Sequence, residues 1–160
     1  MEAEQLRTVR LRLVAATLDE TRAQIAAMSA ADRVHVSPVW LERVRLAAAD
    51  DPWVLGFNIV HTETGGTVGS CGFKGPPDRD GTVEIAYGIG PSHQNQGYAT
   101  EAAEALVRFA FSTHDVRVVR AHTLADANAS ARVLVKCGFA SVGQVVDPED
   151  GLVWRWEKQR

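Results

Sequence analysis

Between Thr82 and Ala110 the hydrophobic period of the chain changes once, from two to about 3.6. Val83, Ile85, Tyr87 and Ile89 alternate with smaller or polar residues, which is the pattern of a strand. Ala99, Ala102, Ala103, Leu106, Phe109 and Ala110 then recur at three- and four-residue spacing, which is the pattern of an amphipathic helix. Gly90-Pro91 and the polar stretch Ser92-His93-Gln94-Asn95-Gln96-Gly97 lie between them. A strand running through a glycine turn into a long helix restricts the chain to an α/β architecture.

The rest of the chain agrees with that class. Val9–Val14 alternates apolar and basic residues and reads as a half-exposed strand. Thr17 or Asp19 caps a helix running to about Met28, and Ser37 with Pro38 opens a second to about Ala49. Asp50-Asp51-Pro52 ends it, and Trp53–Val60 and Thr67–Phe73 read as strands around the turn Gly65-Gly66. Pro76–Gly81 is a loop before the strand Thr82–Ile89. Arg117–Thr123 returns to strand, and Ser130–Lys136 is a short helix with Gly138 as its left-handed terminator. Phe139–Val146 and Leu152–Trp156 are closing strands joined at Pro148–Gly151. No linker divides the 160 residues, so residues 1–160 are expected to form one α/β domain with a mixed sheet.

Composition narrows the function. A net charge of -3 does not suit a nucleic-acid partner, and none is expected. No run approaches the roughly 18 apolar residues of a membrane helix, so no membrane partner is expected. Met1-Glu2-Ala3-Glu4-Gln5 is charged, with no apolar core of a signal peptide. Cys71 and Cys137 lack paired spacing and read as reduced thiols, giving an expected cytoplasmic location. The histidines His35, His61, His93, His114 and His122 have no metal-ligand spacing, and no metal is expected. The sequence leaves monomer and homodimer open.

A helix N-terminus offers unpaired N–H groups and the positive end of its dipole, which suits a phosphate. The amides of Gln96, Gly97, Tyr98, Ala99 and Thr100 are the expected donors, with Asn95 in the turn and side chains of Gln94 and Gln96 able to assist. Gly97 lets a ligand approach the backbone closely. A plain strand–helix connection that needs glycine for a tight turn is the other reading of the same spacing. The spacing matches neither dinucleotide-fold nor NTPase phosphate loops.

Gln94-x-x-Gly97-x-Ala99 resembles the [RQ]-x-x-G-x-[GA] acetyl-CoA signature of the GNAT N-acetyltransferase superfamily. Glu84–Ile89 is similar to that family's central strand, and Gly97-Tyr98-Ala99-Thr100-Glu101-Ala102 to its helix start. Asn128–Phe139 resembles a segment of the branch containing ribosomal-protein N-terminal (alanine/serine) acetyltransferases, and Thr8–Leu13 resembles that branch's opening strand. Two positions depart from the pattern. Asn128 and Arg132 are one residue closer than is common, and Val135 stands where Glu is common. The resemblance implies a mixed, mostly antiparallel central sheet flanked by helices, with strands splayed at the acetyl-CoA site. It implies acetyl-CoA as co-substrate and an amine acceptor of unknown identity.

Amine acetylation needs a base for the amine proton, a donor for the thioester carbonyl and an acid for the thiolate. Glu84 shares its strand face with Ala86 and Gly88, which leaves room for a thin ligand. It is the expected general base by resemblance; a solvated or salt-bridged carboxylate is the alternative. Ser130 is the expected general acid by resemblance, against a first-turn capping serine. Asn128 is either a cap or a partner of the pantetheine arm. By resemblance, the backbone at Ile89 and Gly90 pairs with pantetheine. Cys137 reads as a packed thiol, Tyr87 as core or substrate wall, and the four tryptophans as packing surfaces. His35, Trp40 and the Asp78–Asp80 loop are further acceptor contacts to examine. The function expected is transfer of acetyl from acetyl-CoA to a primary amine, on a protein N-terminus or a small molecule. The alternative is a non-catalytic acyl-CoA-binding regulatory module on the same fold.

Overall fold

A computed structural model describes residues 5–126 and 128–160. Its strands are β1 (Gln5–Arg7), β2 (Leu11–Ala15), β3 (Phe57–His61), β4 (Thr67–Phe73), β5 (Thr82–Ile89), β6 (Val118–Thr123), β7 (Ala140–Asp147) and β8 (Gly151–Gln159). Its helices are α1 (Leu18–Ala27), α2 (Ala30–Arg33), α3 (Pro38–Leu46), α4 (Pro52–Leu55), α5 (Tyr98–Phe111) and α6 (Asn128–Lys136). The strands form one eight-stranded sheet in the order β1-β2-β3-β4-β5-β6-β8-β7. Neighbours are antiparallel except β5 and β6, which run parallel.

The main core lies between the sheet and α5. Ala102, Ala103, Leu106 and Ala110 of α5 are buried against Leu11, Leu13, Ile59, Val83, Ile85 and Val119. A smaller core of Leu18, Val44, Val54 and Leu55 holds α1, α3 and α4 together. Local chemistry fixes the helix starts. Thr17 Oγ1 accepts from the Glu20 amide while Glu20 reaches back to the Thr17 amide, a reciprocal capping box. Ser37 Oγ accepts from the Trp40 amide at 3.2 Å.

Several expectations change. The opening strand is a hairpin, because Thr8 and Leu11 exchange hydrogen bonds and turn the chain between β1 and β2. Val9 therefore sits at the turn, 95% exposed. Trp53–Leu55 is helical instead of extended, because Asp51 caps the Trp53 amide at 3.0 Å and Pro52 is preset for a first turn. Gly56, at φ +73°, then releases the chain into β3. The second helix stops at Leu46, three residues short of the expected end at Ala49.

The β1–β2 turn also anchors α5. The Glu101 carboxylate accepts from Thr8 Oγ1 at 2.7 Å, from the Arg10 amide at 3.0 Å and from the Arg10 guanidinium. Partial burial would raise the Glu101 pKa, but these donors outweigh it and hold it below the usual glutamate range. Its stabilisation is present above the ordinary glutamate pKa and is lost as pH falls through the lowered value. Glu101→Ala is expected to cost about 1–3 kcal/mol at pH 7. Urea unfolding should show that difference shrinking toward pH 3.

Candidate active site

β5 and β6 pair only over Thr82–Glu84 and Val118–Arg120. β5 nevertheless runs on to Ile89 and β6 to Thr123, so the two strands diverge beyond Glu84. On the other edge, β5 stays paired with β4 from Ile85 to Ile89. Glu84 O accepts from the Lys74 amide and the Gly90 amide donates to Val68 O, so even-numbered residues bond toward β4. The backbone groups of Ile85, Tyr87 and Ile89 therefore face the opening. The Gly90 amide is already engaged by Val68 O and the Ile89 carbonyl by Gln94 Nε2, so the outward groups left to this strand are those of Tyr87 and the Ile89 amide. The opening comes from where pairing stops, with no bulge in the β4–β5 ladder.

The glycine turn lies at the mouth of the opening. Gln94 Nε2 donates back to Ile89 O at 3.0 Å, and Tyr98 Oη donates to Gln96 Oε1 at 3.3 Å. Asn95 at φ 63° and Gly97 at φ 84° are left-handed. Gly97 begins α5 with no side-chain cap. The Glu101 amide donates to Gly97 O at 3.2 Å, so the amides of Tyr98, Ala99 and Thr100 precede the first helical donor. Arg10 stacks 4.6 Å over the buried Tyr98 ring and pins this first turn.

Glu84 sits where the pairing ends. Val83 and Ile85 are buried, while Ala86 and Gly88 are exposed on Glu84's face, as the alternation predicted. Ala86 and Gly88 on that face line a cleft of about 1010 Å³ together with Asn58 and Ser70; Lys74 lines it too, while Glu84 itself lies behind the lining. His35, Ser37, Trp40 and Arg43 wall it from the helical side, and Asp147, Glu149 and Asp150 close its end. Trp40 Nε1 donates to Val54 O at 2.6 Å, so the ring is fixed as wall. Asp78 instead caps the Asp80 and Thr82 amides, and its loop is not part of the cleft lining.

A charge network that no sequence pattern announced surrounds Glu84. Lys74 Nζ lies 2.8 Å from Glu84 Oε2 and 3.2 Å from Asp150 Oδ2. Burial alone would lower the Lys74 pKa; the two carboxylates override it and push the ammonium up to about 12. His122 Nδ1 lies 3.4 Å from Glu84 Oε2 and 3.7 Å from Asp147 Oδ2. These groups come from the residue after β4, from β5, β6 and β7, and from the β7–β8 turn, so no spacing could reveal them.

Ser130 is half-buried in the first turn of α6, and its carbonyl accepts from Tyr87 Oη at 3.4 Å. Burial pushes the Tyr87 phenol upward, so it remains a donor. Tyr87 thus ties β5 to α6 across the opening. The backbone of Asn128 begins α6; its side chain lies outside the described residues. Cys137 is buried, with Sγ 3.7 Å from Thr100 O. Trp53 packs on Phe73 and Phe109 as expected, whereas Trp154 is 36% exposed. Burial pushes Cys71 up to about 12 and Cys137 up to about 11. At pH 8 neither thiol is expected to react with iodoacetamide over minutes in the folded protein, and both should react at once in urea. Mass spectrometry of the alkylated protein checks this.

None of the described helices is long and apolar enough to cross a membrane. An acetyltransferase (GNAT) domain family model matches residues 6–140. The chain is 36% identical over 89 residues to the uncharacterized N-acetyltransferase YjdG of Bacillus subtilis, covering 56% of this chain and 51% of that protein. It thus spans about half the length of the curated relatives it matches. RimL, a ribosomal L7/L12 alpha-N-protein acetyltransferase solved in complex with coenzyme A, superposes with a TM-score of 0.71, 19% identity and 98% of both chains covered. A GNAT-family acetyltransferase from Bacillus anthracis superposes at 0.69, with 18% identity and 98% of both chains covered. At these identities the likeness is one of fold. The matched segment contains the glycine turn, the diverging strands and Glu84, and the chain belongs to the acetyltransferase (GNAT) domain family.

Proposed function

We propose that the chain transfers an acetyl group from acetyl-CoA to a primary amine by direct attack. The observation that carries this reading is the divergence of β5 from β6 at Glu84, between a helix start with free amides and an open cleft. The residues present fit acetyl-CoA. The Tyr98, Ala99 and Thr100 amides suit its pyrophosphate, with Gln96 and Gly97 beside them. The outward backbone groups of Tyr87 and the Ile89 amide suit an extended amide-bearing arm. Asn128 is assigned to the same arm. The thioester supplies an activated acyl group.

Within that frame, the amine nitrogen enters from the cleft and bonds to the acyl carbon as the C–S bond breaks. Glu84 takes the amine proton, directly or through a water. Backbone N–H groups of β5 polarise the carbonyl. The Ser130 hydroxyl gives its proton to the departing sulfur and takes one back from solvent, to which Glu84 releases the amine proton. The acidic cleft end, with Asp147, Glu149 and Asp150, favours a cationic acceptor. The similarity to RimL supports an N-terminal α-amine as one acceptor class, beside small-molecule amines.

One observation favours a non-catalytic acyl-CoA-binding module instead: Lys74 already pairs with Glu84 at 2.8 Å. A thiol-release assay with acetyl-CoA and a panel of peptide and small amines separates the two. The transferase reading expects coenzyme A release that depends on one amine class. Coenzyme A binding by calorimetry, with no amine turned over, would replace it with the module.

A further inference from the structure

His122 is the buried polar group that the proposed chemistry does not use. Its side chain is only 5% exposed, and Nδ1 makes no hydrogen bond among the described residues. Such a group is costly unless it serves a partner. The other ring nitrogen, Nε2, accepts from Arg155 Nε at 3.1 Å. A guanidinium has donors and no acceptors, so Nε2 must present its lone pair. That condition excludes the imidazolium and the Nε2–H tautomer, and leaves the proton on Nδ1.

Nδ1 points between two carboxylates, Glu84 Oε2 at 3.4 Å and Asp147 Oδ2 at 3.7 Å. The three ligand-type atoms lie within 4.8 Å of one another, a grouping that could hold a metal ion. The tautomer argues otherwise: a metal on Nδ1 would move the proton to Nε2, against the Arg155 N–H. The Lys74 ammonium already supplies a positive charge to Glu84 there.

We propose that His122 is a positioning residue, whose Nδ1–H, fixed by Arg155, orients the Glu84 carboxylate and couples it to Asp147 at the acceptor end of the cleft. This rests on Glu84 acting as the base. Lys74 is the neighbour that an incoming ammonium can displace from Glu84, because it also holds Asp150. His122 is enclosed by the sheet and stays. When Lys74 leaves, Nδ1–H is the donor that holds the carboxylate toward the place Lys74 occupied in the cleft wall. Charged groups surround the pair from every packed element. They are Lys74 after β4, Arg120 on β6 bonded to Glu157 of β8, Arg155 on β8, Asp147 on β7 and Asp150 in the turn. Burial first, then Arg155 and Lys74, lower the His122 pKa against the two carboxylates, which agrees with a neutral ring.

Two measurements test this. Long-range proton–nitrogen NMR on histidine-labelled protein at pH 7 should find His122 neutral with the proton on Nδ1. An Nε2–H tautomer, an imidazolium or a zinc-induced shift of Nδ1 would overturn the proposal. In turnover, His122→Leu should lower kcat by about 10- to 100-fold, with KM for acetyl-CoA changed less than about twofold. His122→Asn, whose amide nitrogen can stand where Nδ1 does, should recover most of the loss. Added to Glu84→Gln, His122→Leu should cost nothing further. Equal loss in the Leu and Asn variants, tracking a fall in Tm, would make His122 merely structural. Normal turnover by Glu84→Gln would remove Glu84 as base, and the coupling with it, while the NMR result would still report the tautomer by itself.

Discussion

Replacing Glu84 with glutamine is expected to lower kcat for amine acetylation by about 100- to 10,000-fold. Glutamine keeps the shape and size of the side chain but cannot take a proton. The acetyl-CoA contacts assigned to α5 and β5 lie elsewhere, so KM for acetyl-CoA should change little. Lys74 keeps Asp150 at 3.2 Å, so no unpaired buried charge is created and folding should survive. Steady-state kinetics across pH 6–9, beside a urea midpoint, make the measurement. Unchanged turnover throughout that range would show that Glu84 is a structural ion-pair partner of Lys74.

Gly69→Val is the substitution expected to do most harm to the sheet at the site. A Cβ at Gly69 would stand 2.1 Å from Gly88 O and 3.0 Å from the Ile89 Cα. Both are backbone atoms of the neighbouring strand and cannot swing aside. β4 and β5 must separate, and β5 already lacks a partner on its other edge beyond Glu84. The cost should be about 3 kcal/mol. Coenzyme A affinity should also fall, because Tyr87 and Ile89 move with β5. Denaturant unfolding and calorimetry measure the two effects. Gly88→Ala is the control: its Cβ meets nothing within 4 Å, so stability should hold. If Gly69→Val unfolds at the wild-type midpoint, the close β4–β5 approach does not bear on stability.

The two glycines show where reading from sequence stops. Gly97 announces itself, since it sits between a strand period and a helix period, and its left-handed φ of 84° agrees with that place. Gly69 lies inside an ordinary strand pattern, and its need for hydrogen comes from the strand twenty residues away with which it pairs at Ile89. Trp53 is a similar case at shorter range. Its apolar neighbours read as strand, yet Asp51 and Pro52 start a helical turn, because one cap bond outweighs a weak strand preference. The Asp51-Pro52 pair was the available signal.

The sequence by itself determined the β5–α5 unit, the helix cap at Ser37, the first helix's start at Thr17 or Asp19, and the glycine turn ahead of α5. Each depends on residues within a few positions of one another, where period, capping and φ preference act. Only the tertiary structure decided what surrounds Glu84. Lys74, His122, Asp147 and Asp150 arrive from separate strands and a turn, and they meet because β5 and β6 pair for three residues and then part. Strand order and register, set by burial of the whole sheet against α5, place those charges together, and no local pattern encodes such a meeting.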